Sequence, residues 1–367
     1  MSEIRFGVWA NVYGSWAARH HPEDPVDASW ERNRDLILEA ERLGFASTLI
    51  AQHEINPFGD GYDQLEAWST AAALAALTDR IEIIAAIKPL LYHPVVLAKQ
   101  ALQIDHISGG RFAINFVNAW YRPEIERAGI DFIPHEERYA YGREWMTVVD
   151  RLLRSEATTF HGRYFDVDDY RLLPAARRQP RPLIYGGGES DTARDLIADI
   201  GDTFFLNGRP AAEAAEAIAD IRARRPADKP PLGFAMAAFV IARETDEEAE
   251  AAHRYAFELA QLDAGDNERL FNAADPQSTM FKFLGSIPAI GTNGGTYAGL
   301  VGSYDTVAAR IREFHALGVD LLMLQFQPFE AEMRRFAQHV MPRVRTGAQA
   351  EAISPPREPA AASAVRR

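Results

Sequence analysis

The sequence predicts an α/β fold of the (β/α)8, or TIM-barrel, class, and three observations support this. Eight short runs rich in β-branched and aromatic residues alternate with eight longer stretches of helical periodicity. Helix punctuation stands at the ends of those stretches. The 367 residues, 47% of them hydrophobic, suffice for one large core. So many strand–helix repeats favour closure into a barrel over a doubly wound sheet.

The first strand, Ile4–Ala10, leads to a helix at Trp30–Leu43 that Gly44 ends as its C′ residue. Ser47–Gln52 precedes a helix at Leu65–Leu77, and Ile81–Ile87 precedes one at Pro94–Ile107. Phe112–Val117, bounded by Gly109-Gly110, is short and apolar and reads as a strand covered on both faces, followed by a helix at Glu137–Leu153. Alternating aromatics at Phe160, Tyr164, Phe165 and Tyr170 mark Thr158–Pro174 as a small hairpin excursion. Pro182–Gly186 opens directly into Ser190–Ile200, with Ser190 at the N-cap, and Thr203–Leu206 pairs with Ala211–Arg224. Phe234–Ala242 is followed by Asp246–Leu262, capped by Thr245 or Asp246. Leu262–Leu300 has two Gly-rich patches and little periodicity, and so long a loop in a compact domain is usually functional or mobile. Tyr304–Leu317, ended by Gly318, and Leu321–Phe326 complete the set. The expected division is one barrel domain over residues 1–345 and a disordered Ala-, Pro- and Arg-rich tail over 346–367.

A formal net charge of -13 argues against nucleic acid as the main partner, since phosphate backbones need a basic surface. The absence of cysteine excludes disulfides, thiolate metal sites and cysteine nucleophiles. The start lacks a signal-peptide core and no run approaches the roughly 20 apolar residues of a membrane span, so a cytoplasmic protein is expected, with no membrane partner. No His-x-His lies on a strand and no His-x-x-x-His on a helix, so no metal site is expected. Serine-hydrolase elbows and nucleotide-binding P-loops are absent too.

In a barrel of this class the chemistry sits at the C-terminal strand ends. Those ends offer Trp9 and Asn11; Gln52, His53 and Glu54; Lys88; then Asn118, Trp120, Arg122 and Glu124. Asn115 interrupts the fourth strand from within, and a buried carboxamide needs partners that a polar ligand can supply. Gly186-Gly187-Gly188-Glu189-Ser190, between a strand and a helix, is a candidate phosphate cradle. Arg138 and Tyr139, in the first turn of the fourth helix, are placed to lean over the same face, although a solvated arginine and a core-edge tyrosine are the commoner fates.

The run Asp105-His106-Ile107-Ser108-Gly109-Gly110-Arg111-Phe112-Ala113-Ile114-Asn115, with Trp120 and Glu124, resembles the bacterial luciferase-like flavin-dependent monooxygenases, in the branch of dimethylsulfone, alkanesulfonate and pyrimidine monooxygenases. Phe160-His161-Gly162-Arg163-Tyr164-Phe165, Ile184–Ser190, Gly291-Thr292-Asn293-Gly294 and Leu300-Val301-Gly302-Ser303 extend the similarity over about residues 4 to 343. The resemblance implies a two-component enzyme. Reduced FMN (FMNH2) comes from a separate NAD(P)H-dependent flavin reductase, and O2 is used to oxygenate a small organosulfur, heterocyclic or haloaromatic substrate. It implies a homodimer or homotetramer and a flavin site of Gln52, His53, Asn115, Glu124, Arg138, Tyr139, Gly187, Gly188 and Ser190. Asn115 and Glu124 would meet the polar edge of the ring, and Asn115, with His53, would be catalytic.

Two departures bear on the branch. Ala86 stands where the pyrimidine enzymes place a threonine, and the cysteine of the alkanesulfonate enzymes is missing. Substrate-side candidates are Trp9, Asn11, Lys88, Trp120 and Lys282, the lysines as cations for an anion unless they are simply solvated, with Tyr13, Trp16, Tyr62 and Trp68 as aromatic wall. Phe271–Leu300 is a candidate lid. A deazaflavin (F420)-dependent oxidoreductase and a catalytically silent flavin-binding protein are the alternatives. The substrate and the flavin atom that carries oxygen, carbon 4a or nitrogen 5, stay open.

Overall fold

The computed structural model describes residues 3–14, 17–24, 26–276 and 290–345. β1 (Arg5–Trp9) is followed by α1 (Trp30–Leu43), β2 (Ser47–Ile50) by α2 (Ala67–Leu77), β3 (Glu82–Ile87) by α3 (Pro94–Ile107), and β4 (Phe112–Phe116) by α4 (Arg122–Arg127) and α5 (His135–Leu153). The hairpin β5 (Thr158–His161) and β6 (Asp166–Tyr170) precedes β7 (Leu183–Gly186), α6 (Asp191–Ile200), β8 (Thr203–Leu206), α7 (Ala211–Arg224) and β9 (Gly233–Phe239). β10 (Ile241–Arg243), α8 (Asp246–Gln261), α9 (Ala264–Ala273), β11 (Val301–Ser303), α10 (Tyr304–Leu317), β12 (Leu321–Gln325), α11 (Phe329–Arg335) and α12 (Met341–Val344) complete the chain.

Eight parallel strands close a barrel in the order β1-β12-β9-β8-β7-β4-β3-β2, in the places the sequence pattern assigns to them. Every residue of β3 and β4 is buried. Their outer side chains pack beneath the helices, while Trp9, Leu49, Ile84, Ala113, Tyr185 and Met323 fill the interior, which is why these strands read as unbroken apolar runs. At the N-terminal end of the barrel the Tyr185 hydroxyl donates to Glu82 at 2.9 Å, and Arg178 reaches the same carboxylate at 3.2 Å. That closed floor leaves the opposite end for chemistry. Ser29 caps α1, Gly44 ends it in the left-handed region at φ 89°, and Thr245, not Asp246, caps α8 by accepting from the Glu248 N–H. No helix among the described residues is long and apolar enough to cross a membrane.

Two expectations are corrected. The strand expected over Phe234–Ala242 is divided: β9 ends in the barrel, and β10 pairs outside it with β11. Ile241 remains buried against Ile290, so the apolar pattern continues across the break and cannot mark it. The segment after Leu262 is not structureless, because it contains α9. Leu270 is the one buried residue of that helix, so it has no apolar stripe to announce it. Instead its leading end is tied down by polar contacts: Asp263 accepts from the Arg19 backbone N–H at 2.7 Å and meets His20 Nδ1 at 2.6 Å. Residues 277–289 of the candidate lid, with Lys282, lie outside the described residues, as do Trp16 and the tail from residue 346.

Candidate active site at the barrel mouth

The open end of the barrel holds a cleft with about 870 Å³ of empty space, counted out to its solvent mouth, running from Trp9, Leu49 and Asn115 to the turn before α6. A second cleft of about 570 Å³ adjoins it over β2 and β3 and shares Trp9, Leu49, Asn115, Val117, Trp120 and Asn293. Asn115 stands where the two meet. Pairing in register with Ala86 of β3 and Tyr185 of β7, it is 8% exposed, and its Oδ1 is buried without a hydrogen-bond partner. A buried, unsatisfied acceptor costs stability, so its retention points to a ligand that donates there.

The far end of the larger cleft is built for an anion. β7 stops at Gly186, and Gly187 and Gly188 carry the chain to Ser190, whose side chain caps α6 by accepting from the Ala193 N–H at 3.2 Å. A Cβ on Gly187 would lie 2.2 Å from the Phe205 carbonyl oxygen, so only glycine lets this turn lie against β8. Gly187→Ala should therefore displace the turn and weaken binding of a phosphate-bearing ligand there by about tenfold or more; equal ligand titration curves for the two proteins would contradict this. Glu189, the turn's acid, is taken up by Arg194, Arg209 and Asn207, the last at 2.8 Å. Opposite stand Tyr139, its hydroxyl pushed up from its ordinary value mainly by burial, and Arg138. The Arg138 guanidinium lies 4.1 Å above the Phe132 ring, donates to the Ile133 carbonyl at 2.7 Å and to Asp275, and keeps a buried Nε with no partner.

Under the smaller cleft lies a buried charged cluster. Lys88 Nζ donates to Glu124 Oε2 and lies 3.1 Å from His53 Nδ1, while Glu124 Oε1 accepts from the Glu54 backbone N–H. Gln52 Oε1 accepts from the Lys88 backbone N–H at 2.6 Å, and edge contacts to Tyr13, Trp120 and Tyr121 surround the imidazole. Burial, reinforced by the Lys88 charge, lowers His53 to about 4, so it is neutral at pH 7. Burial also lowers Lys88, against the pull of Glu124. For Glu124 burial acts upward, but Lys88 and His53 outweigh it and hold the carboxyl at about 2.

Of the residues expected from sequence, Trp9, Asn115, Trp120, Arg138, Tyr139, Gly187, Gly188 and Ser190 line the larger cleft, and Gln52, His53 and Lys88 line the smaller. Lys88 and Arg138 are buried and paired, not solvated, because each reaches a carboxylate. Glu124 lines neither cleft; its carboxylate is paired with Lys88 and lies 3.5 Å from His53 Nδ1. Asn11 faces a separate small cavity by Phe239 and Phe329. Trp68 is core, its indole N–H donating to the Ala86 carbonyl at 2.9 Å, and Tyr62 is exposed. Sequence reasoning assigned no role to His135, Phe205, Asn207, Asp275 or Asn293, all on the larger cleft. Asn207 directly follows a barrel strand and could have been read from that position, whereas Asp275 and Asn293 belong to the aperiodic segment.

The profile of the family described as luciferase-like monooxygenase matches residues 5–321 of this chain. The chain belongs to the luciferase-like monooxygenase family. Among its relatives, the FMNH2-dependent dimethylsulfone monooxygenase of Pseudomonas putida is 32% identical over 355 residues, covering 93% of this chain and 95% of that protein. Among solved structures, a riboflavin lyase superposes with a TM-score of 0.78 at 21% identity (93% and 91% of the two chains). DmoA of Hyphomicrobium sulfonivorans superposes at 0.74 and 21% identity (94% and 88%). At those identities the luciferase-like barrel is what is shared.

Proposed function

We propose that this luciferase-like monooxygenase is the oxygenase of a two-component system, taking reduced FMN from a separate NAD(P)H-dependent flavin reductase and using O2 to oxygenate a small, uncharged organosulfur compound. The observation that carries this is the pairing of an anion cradle with unsatisfied ring-edge groups in one cleft. The residues suit FMN: the Gly187–Ser190 turn, Tyr139 and Arg138 stand at one end, while Asn115 Oδ1 lacks a partner toward the other. Ser190, Tyr139 and Arg138 would hold the phosphate, and Asn115 the polar edge of the ring system. Bound FMNH2 supplies the electrons and the site at which O2 is activated.

The protein's own part is positioning and exclusion of water. Trp9, Leu49, Val117 and Trp120 give both clefts an apolar wall, which limits competing reaction with water. His53, neutral and fixed by Lys88, presents an imidazole to the smaller cleft without adding charge. Since Lys88 is already neutralised by Glu124, no cation lining that cleft among the described residues is left for a substrate anion. A compact polar but uncharged molecule, such as a small sulfone, matches that lining better than a sulfonate or a carboxylate chelate. The similarity to dimethylsulfone monooxygenase over nearly the whole chain supports the same substrate class.

The test supplies the purified protein with NADH, FMN and a general flavin reductase, and screens small sulfones against alkanesulfonates under 18O2. Incorporation of 18O into a sulfone-derived product, with less peroxide formed, is expected. Peroxide as the sole product with every sulfone would overturn the substrate class.

A further inference from the structure

We propose that Asp275 is an internal counter-anion that competes with the flavin phosphate for Arg138, keeping cofactor affinity low enough for exchange. The inference rests on the FMN reading of the larger cleft and adds to it an acidic residue where an anion is to bind. Arg138 is 3% exposed, and its Nη2 donates to Asp275 Oδ2, the oxygen that His135 Nδ1 approaches at 3.4 Å. Asp275 itself is 9% exposed, and it lines the cleft together with His135, Tyr139 and Ser190.

The buried Arg138 needs such a group. A buried guanidinium without a counter-charge is strongly unfavourable, and its other neighbours, the Ile133 carbonyl and the face of Phe132, carry no net charge. A phosphate beside Arg138 would do the same work and would repel the carboxylate already there, so the two anions exclude one another.

The backbone around Asp275 suits a residue that yields. It follows α9, whose single buried side chain, Leu270, packs with Phe58, Trp120, Tyr121 and Ala274. Asp275 N–H donates to the Trp120 carbonyl at 2.8 Å, and Ala274 forms one isolated antiparallel bridge with Tyr121. These contacts hold Asp275 on the cleft side and connect it to the Trp120–Tyr121 wall. The fraction of protein in which Asp275 has left Arg138 then scales the apparent affinity for FMN, as for any binding-competent minor state. Such a device suits an enzyme that must take up reduced flavin and release oxidised flavin at every turnover.

The experiment compares dissociation constants for oxidised FMN and for riboflavin, which lacks the phosphate, in the native protein, Asp275→Asn and Arg138→Met. Asp275→Asn should tighten FMN by about tenfold or more and leave riboflavin within about twofold, since a competing anion taxes only the phosphate. Unchanged or weaker FMN binding, or an equal shift for both flavins, would overturn the proposal. If Arg138→Met leaves the FMN-to-riboflavin ratio at the native value, the phosphate assignment itself fails, and the proposal with it. A second measurement needs no variant: FMN, but not riboflavin, should speed hydrogen exchange at the Asp275 amide of the native protein. Equal exchange with both flavins would count against the competition.

Discussion

Asn115→Ala is expected to uncouple the enzyme, lowering oxygenated product per NADH by about a hundredfold while peroxide takes up the difference, the scale of loss seen when one preorganised polar contact to a reacting centre is removed. Asn115 is the residue at which the two clefts meet, and its carboxamide is aimed where a ring and a substrate would adjoin. The same substitution should leave the flavin-free protein equally or more stable, because it deletes a buried acceptor that has no partner. Thermal melts with and without FMN separate the two effects: the melting temperature without flavin should hold or rise, and the increment FMN adds should shrink. A variant that melts early without flavin would show Asn115 to be a structural residue, and normal coupling would remove it from the mechanism.

Lys88→Met should destabilise the fold by about 3–5 kcal/mol, since it leaves the Glu124 carboxylate buried without its ammonium partner. Urea unfolding would measure the loss, and adding Glu124→Gln should recover much of it; a single variant as stable as the native protein would contradict the ion pair. The cluster also sets an acid limit. In the unfolded chain His53 takes up a proton near 6.5, but in the folded protein only near 4. Folding stability is therefore lost as pH falls through that window, by about 3 kcal/mol at full extent. Glu124, ionised down to about 2 in the folded state, adds a second loss between the ordinary glutamate value and that point. His53→Gln should flatten the stability profile between about pH 6.5 and 4 and leave the lower limb.

The barrel was legible because its strands are largely buried on both faces and most of its helices are amphipathic or capped, so local pattern and global fold agree. Ser190, Gly187 and Asn115 were legible for a related reason: position relative to a strand end carries functional meaning in this fold. Pairing across the barrel mouth was not. Nothing in the sequence brings Lys88 to Glu124 or Arg138 to Asp275, because those contacts depend on where α4 and α9 are packed, and neither helix announces itself by periodicity. Lys88 and Arg138 read as ligand-side cations with solvation as the commoner fate, and their burial against carboxylates was not visible. Glu124 read as a cofactor ligand, and the sequence did not show that its carboxylate is paired with Lys88 beside His53.

The account rests on the larger cleft being a site for reduced FMN that reacts with oxygen in place. Anaerobic titration of the purified protein with FMNH2 and with oxidised FMN, followed by rapid mixing with oxygenated buffer while flavin absorbance is recorded, tests this most directly. Tighter binding of FMNH2 than of FMN, and reoxidation in a resolved phase slower than that of unbound FMNH2, is the predicted result. No binding of FMNH2, together with binding of a reduced deazaflavin, would contradict it.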